Sequence, residues 1–205
     1  MSLEGYVFAE RPAPEGAPLL FAFHGTGGDE RQWLALGAEL VPAAHVIAPR
    51  GDVPEFGALR FFRRKAEGVY DMADLAHRTI AMAGFVDAHR KRLKAPRVIG
   101  LGYSNGANIL ASTVFKWPEL FDDIVLMHPL IPWAPDAGAD LSRLRTLITA
   151  GRNDPIGPPK LTQALADFFG TYAKFVALEW HPGGHELRPS EFEAARRFLL
   201  TESAQ

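Results

Sequence analysis

Short apolar runs separated by helix-patterned stretches recur along the whole chain, and this alternation narrows the possible folds more than any other feature. Leu19 to Phe23, His45 to Ala48, Arg97 to Leu101, Asp123 to Met127, Leu144 to Ala150 and Phe175 to Trp180 have the length and the apolar, β-branched character of buried strands. Helical patterns fill the gaps. Asp29 to Leu40 opens with Asp29 and Gln32 at capping-box spacing and repeats Trp33, Leu36 and Leu40 on one face. Asp71 to Leu93 carries Met72, Leu75, Thr79, Met82 and Val86 on one face, with Gly84 as a local weakness. Pro158 and Pro159 open another helix, and Ser190 with Glu193 reads as the cap of a last one whose Phe192, Ala195 and Leu199 face inward. Parallel strands need crossovers, and right-handed crossovers put helices on the sheet. The pattern therefore predicts a mostly parallel sheet covered by helices on both faces. Val7 to Glu10 reads as an added edge strand.

With 205 residues, 47% of them hydrophobic, the chain can bury one sizeable core. No linker, repeat or low-complexity tract divides it, so residues 1–205 read as a single domain. A net charge of −2 offers no general attraction to nucleic acid or to an anionic membrane, which leaves a small molecule as the expected partner. The basic run His89 to Lys94 closes a helix, where cations complement the dipole. No cysteine is present, which excludes disulfides, thiolate metal sites and a cysteine nucleophile. Met1 to Tyr6 lacks the basic and apolar regions of a leader, and no run reaches membrane-spanning length. The expectation is a cytoplasmic protein, monomeric or homodimeric, without stable membrane association.

Gly102-Tyr103-Ser104-Asn105-Gly106 falls where the strand ending at Leu101 gives way to the small-residue stretch Ala107 to Ala111. A nucleophile on such a turn needs neighbours without a Cβ, so that strand and helix can close on it. The arrangement resembles the nucleophile elbow of α/β-hydrolases. A serine hydroxyl is a weak nucleophile until a base takes its proton. His185, in the loop His181-Pro182-Gly183-Gly184-His185-Glu186 after the last strand, is the best placed of the 7 histidines. Taken alone it reads equally as a loop histidine; with the elbow already found, it reads as the base. Asp154, in Gly151-Arg152-Asn153-Asp154-Pro155, follows a strand end and completes the order serine, acid, histidine. It also suits an Asx turn before proline. Asp122 and Asp123 precede a strand, at the wrong end of the sheet, and Glu179 lies within one. His128 precedes Asp154 and reads as a structural residue near the site. In α/β-hydrolases the oxyanion donors are the amide after the nucleophile and one from an early loop. Here these are the backbone N–H groups of Asn105 and of Thr26 in His24-Gly25-Thr26-Gly27-Gly28. The early loop lacks a Walker lysine and spaced dinucleotide glycines. His181 and His185 are four apart, yet Pro182 and two glycines prevent a helical metal pair.

Those four motifs, in that order and at those separations, resemble the compact bacterial carboxylesterases of the phospholipase/carboxylesterase group, relatives of the acyl-protein thioesterases. The resemblance spans almost the whole chain. It implies an α/β-hydrolase fold without a large lid domain, and Ser104 as nucleophile, Asp154 as acid and His185 as base, with Thr26 and Asn105 at the oxyanion. No metal or organic cofactor is implied. Asn105 departs from the glutamine common after the nucleophile in acyl-protein thioesterases, a change that keeps the backbone donor. The segment from Pro49 to Arg64 is similar to the bacterial esterase branch, and Phe61, Phe62 and Trp133 are read as walls of a partly open acyl pocket. The expected reaction is cleavage of small or medium carboxylic esters. Thioesterase or lysophospholipase activity and a noncatalytic ligand-binding module on the same fold are the alternatives.

Overall fold

The computed structural model describes residues 5–136 and 138–201. The leader reading of Met1 to Tyr6 therefore falls mostly outside the described residues. In chain order the elements are β1 (Phe8–Arg11), β2 (Leu19–Phe23), α1 (Glu30–Leu40), β3 (His45–Pro49), β4 (Val53–Glu55), β5 (Ala58–Arg60), β6 (Arg64–Ala66) and β7 (Val69–Tyr70). There follow α2 (Met72–Leu93), β8 (Val98–Tyr103), α3 (Asn105–Val114), β9 (Asp123–Met127), β10 (Arg145–Gly151), α4 (Pro159–Tyr172), β11 (Phe175–His181) and α5 (Pro189–Leu200). Among the described residues one seven-stranded sheet runs β1-β3-β2-β8-β9-β10-β11, parallel except for β1. This is the α/β-hydrolase fold.

Alternation along β2 divides the core in two. Leu19, Phe21 and Phe23 join one apolar cluster with residues of α2, α3 and α4, while Leu20 and Ala22 join another with α1 and α5. Each fully buried phenylalanine such as Phe21 contributes about 1.5–3 kcal/mol. Helix α3 is buried along its full length, and the sheet accepts it because β8 carries glycines. A Cβ on Gly100 would meet Leu110 Cδ1 at 2.7 Å, and one on Gly102 the Ala107 amide nitrogen at 2.7 Å. From β2 the chain winds outward to β3 and then returns to the other side of β2 as β8. That reversal is a topological switch point, where loops leaving adjacent strands diverge and open a crevice.

Three local expectations are corrected. Met72 is 51% exposed: the first turn of α2 turns Asp74 inward instead, where its carboxylate accepts the Arg63 N–H at 2.7 Å. Ser190 does not cap α5, since Pro189 with its fixed φ already starts the helix and Glu191 accepts the Arg188 N–H at 2.8 Å. The stretch after Pro49, where no strand is read from the sequence, forms two hairpins, β4-β5 and β6-β7. The first turns through Phe56 and Gly57, both at positive φ as a two-residue hairpin turn requires. No helix among the described residues is long and apolar enough to cross a membrane.

Gly106 is the tightest point between α3 and β2, because an added Cβ would lie 2.5 Å from the His24 carbonyl oxygen and closer still to that of Phe23. Gly106→Ala is expected to destabilise the fold by about 1–3 kcal/mol, read as a lowered urea midpoint at unchanged slope. An unchanged midpoint would contradict this packing.

Candidate active site

Ser104 follows β8 at φ 52° and ψ −117°, a left-handed conformation that a non-glycine residue holds only when its surroundings enforce it. Its N–H donates to Met127 O at 2.9 Å and its carbonyl accepts the Asn108 N–H at 3.0 Å, so strand and helix fix the turn from both sides. Ser104 Oγ lies 2.9 Å from His185 Nε2, and His185 Nδ1 lies 2.7 Å from Asp154 Oδ2. Asp154 is 5% exposed. Its other oxygen accepts the N–H groups of Ile156 and Gly157 at 2.8 and 2.9 Å, the Asx-type turn its sequence favours. The three residues named from sequence are thus brought together, from loops after β8, β10 and β11.

The switch-point crevice also holds the loop after β2. Asn105 is the first residue of α3, where an amide has no intrahelical acceptor, and Thr26 is exposed in the loop opposite. Several struts escaped sequence reasoning. His24, fully buried, donates from Nδ1 to Gly25 O at 2.7 Å and accepts the Gly51 N–H on Nε2 at 2.9 Å. Burial lowers its pKa, so the ring stays neutral and ties the early loop to the end of β3. Buried Arg60 donates to Thr26 Oγ1 at 2.9 Å, and the Asn105 side chain accepts the Phe61 N–H at 2.7 Å. Tyr103 donates its hydroxyl to the His185 carbonyl at 2.6 Å, and burial pushes the phenol up to about 12, which keeps it a donor.

No family model matches the chain. MhqD of Bacillus subtilis (strain 168), which bears a hydrolase name, is 37% identical over 182 residues, covering 88% of this chain and 91% of MhqD. The chain belongs to the phospholipase/carboxylesterase group of α/β-hydrolases. Among solved structures, the Bacillus cereus carboxylesterase is similar to this group member at 36% identity and TM-score 0.85, covering 94% of this chain and 92% of its own. Atu2452 of Agrobacterium tumefaciens str. C58, a protein of unknown function, is 50% identical with TM-score 0.89 over 97% of this chain and 98% of that one.

In this hydrolase the aromatics expected around an open pocket separate into two kinds. Phe61 and Phe62 are both 0% exposed and belong to the core, Phe61 against Phe23 and His24, Phe62 against Tyr70. They do not form an open wall, because both rings are packed inside the main apolar core. Trp133 is half-buried, edge-on to Tyr70 at 6.0 Å, and borders a groove of about 570 Å³ with Leu75, Thr79 and Phe115, at the far end of α3 from Ser104.

Beside Asp154 lies a second buried group, His128, His181 and Glu191, whose donor atoms are close enough for a metal ion. The hydrogen bonds do not suit that use. The Gly183 N–H donates to His181 Nδ1 at 3.0 Å, which leaves the ring proton on Nε2, the atom that would have to ligate. Burial alone would raise the Asp154 carboxyl, but the Gly157 amide, His128 and His185 outweigh it and hold it below its usual value. Glu191 is lowered in the same way, its burial outweighed by His128 and Thr149. Burial would strip the proton from His128, and hydrogen bonds to Glu191 and Asp154 reverse this and raise its pKa.

The two carboxylates therefore contribute stability above their unfolded values of about 4, lost as pH falls through the lower folded ones. His128 contributes fully below about 6.5 and loses its contribution as pH rises through the raised folded value. The difference in Tm between wild type and His128→Gln is expected to be largest between about pH 4.5 and 6.5 and to narrow toward pH 9. A pH-independent difference would contradict the charged cluster.

Proposed function

We propose that this hydrolase is a serine carboxylesterase acting on small or medium esters through an acyl-enzyme. The observation that carries the reading is the hydrogen-bonded series from Ser104 Oγ to His185 Nε2 at 2.9 Å and from His185 Nδ1 to Asp154 at 2.7 Å, within reach for direct proton transfer. As Ser104 Oγ attacks the ester carbonyl, its proton passes to His185 Nε2. Asp154 keeps the other ring proton on Nδ1 and stabilises the imidazolium. The amides of Thr26 and Asn105 are the proposed donors to the tetrahedral oxyanion, each such donor being worth on the order of 10²–10³ in kcat. His185 then protonates the departing alkoxide. Water, deprotonated by His185, attacks the acyl carbon, and the returning proton frees Ser104. The carboxylesterase from Bacillus cereus supports the ester as the bond cleaved. Thioester and lysophospholipid cleavage would use the same steps, with another leaving group.

A fluorophosphonate probe is expected to label the wild type and to leave Ser104→Ala unlabelled. Asp154→Asn is expected to lose on the order of 10⁴ in kcat through loss of tautomer control. Intact labelling of Ser104→Ala, in mass spectra of the whole protein, would overturn the reading and favour a noncatalytic binding module or another nucleophile.

Trp133 is the aromatic proposed to limit the acyl group: it is half-buried, and the groove it borders at the far end of α3 would take only the distal end of an acyl chain carried by Ser104. Wild-type kcat/KM across p-nitrophenyl esters is expected to peak at short or medium chains. Trp133→Ala should move that preference toward bulkier acyl groups by about tenfold, the low end of what one methylene is worth in an apolar pocket. A wild-type optimum on long-chain phospholipids would reject the compact-substrate reading. An unchanged mutant profile would remove Trp133 from the acyl path.

A further inference from the structure

The hydrogen-bonded series does not end at Asp154. The oxygen that faces His185, Asp154 Oδ2, also lies 3.0 Å from His128 Nδ1. On its other side His128 Nε2 lies 3.1 Å from Glu191 Oε1, which also accepts the Thr149 hydroxyl at 2.6 Å. His128 is 1% and Glu191 3% exposed. His128 directly follows β9 at φ +50°, a second left-handed non-glycine residue beside Ser104. Strain of this kind persists where the surroundings enforce it and gathers at functional sites.

The two carboxylates on either side of the ring favour its protonated form. An ionised Asp154 only accepts, so His128 Nδ1 carries a proton. His181 holds its proton on Nε2, hydrogen-bonded at 3.3 Å to His128 Nε2 and 3.3 Å from Glu191 Oε2; a charged His128 would turn that proton toward Glu191. A neutral His128 would then turn a lone pair on a carboxylate oxygen at 3.1 Å. A proton on Nε2 would remove that repulsion and make His128 an imidazolium between two carboxylates. The groups facing it are Asp154, Glu191 and His181, with the rings of His185 at 5.1 Å and Tyr103 at 5.8 Å. Two carboxylates and one imidazolium leave a single negative charge, which is neutralised when His185 takes the serine proton.

We propose that His128 and Glu191 are positioning residues of the esterase reaction: the buried His128 imidazolium clamps Asp154 and offsets part of its charge, which sets the pH at which His185 becomes free to act as base. The proposal rests on the serine reading above. Without that positive charge, Asp154 would hold a protonated His185 more tightly and the base would become available only at higher pH. A purely structural role would lower stability or kcat without moving the pH profile.

The test joins a direct titration to a rate profile. In the wild-type protein labelled with ¹⁵N-histidine, His128 is expected to show both ring nitrogens protonated at pH 7.5, and Glu191→Gln to bring its titration down into the measurable range. With p-nitrophenyl butyrate, the acidic midpoint of the kcat/KM profile of His128→Gln is expected to move up by about one pH unit, with activity recovering at alkaline pH. A neutral wild-type His128, superimposable profiles, or activity lost to a chelator and restored by zinc would each overturn the proposal. If His128→Gln fails to fold, the wild-type and Glu191→Gln titrations decide it. Turnover surviving in Ser104→Ala would defeat the serine reading, while the ¹⁵N titration would still report the charge on His128.

Discussion

The close seating of α3 on β8 and β2 is the constraint on which the remaining geometry depends. Glycines at 100, 102 and 106 remove the atoms that would hold the helix off the sheet. Only at that distance can Ser104 bridge strand and helix in a left-handed conformation, with Met127 and Asn108 tied to its backbone. The same helix carries outward struts. Asn105 holds Phe61, and Asn108 accepts the Leu130 N–H at 2.7 Å while donating to the Tyr70 hydroxyl at 2.8 Å. One buried element therefore sets the nucleophile, the hairpin segment and the loop after β9 in a common frame.

Buried charge is the second theme. A carboxylate taken out of water without partners would protonate or destabilise the fold, and breaking a buried pair costs about 3–5 kcal/mol. Asp154 avoids this with two amides and two histidines, Glu191 with a hydroxyl, two histidines and an amide at the start of α5. The helix start adds its own positive potential beneath Glu191. The two buried carboxylates behind the site are thus fully partnered, which favours one arrangement over several.

Much of this was legible in the amino-acid order. Parallel strands covered on both faces read as plain apolar runs, and β2 and β9 begin and end where those runs do. Ser104, Asp154 and His185 were legible because each stands at a strand end with its own local signature. The fate of Phe61 and Phe62 was not, since apolarity alone does not say whether a ring fills a core or faces a pocket. Arg60, His24 and Glu191 were missed because their partners lie far along the chain, and no local spacing announces a contact that only the sheet creates. His128 was recognised as lying near the site from its place in the chain, but its bond to Asp154 required the turn at the end of β9. The cap of α5 was misassigned because Ser190 and Glu193 mimic a motif that Pro189 shifts by a residue.

Tyr103 lies immediately before Ser104 and holds the His185 backbone through its hydroxyl, while Trp33 stacks on its ring at 6.0 Å. Strand β8 and the loop after β11 are thereby tied to each other. Ser104 and His185, the proposed nucleophile and base, are already within hydrogen-bond distance without any ligand, so the proposed reaction needs no segment to close to bring them together. On the serine reading, turnover would then be limited by the bond-making steps or by escape of the products and not by loop closure.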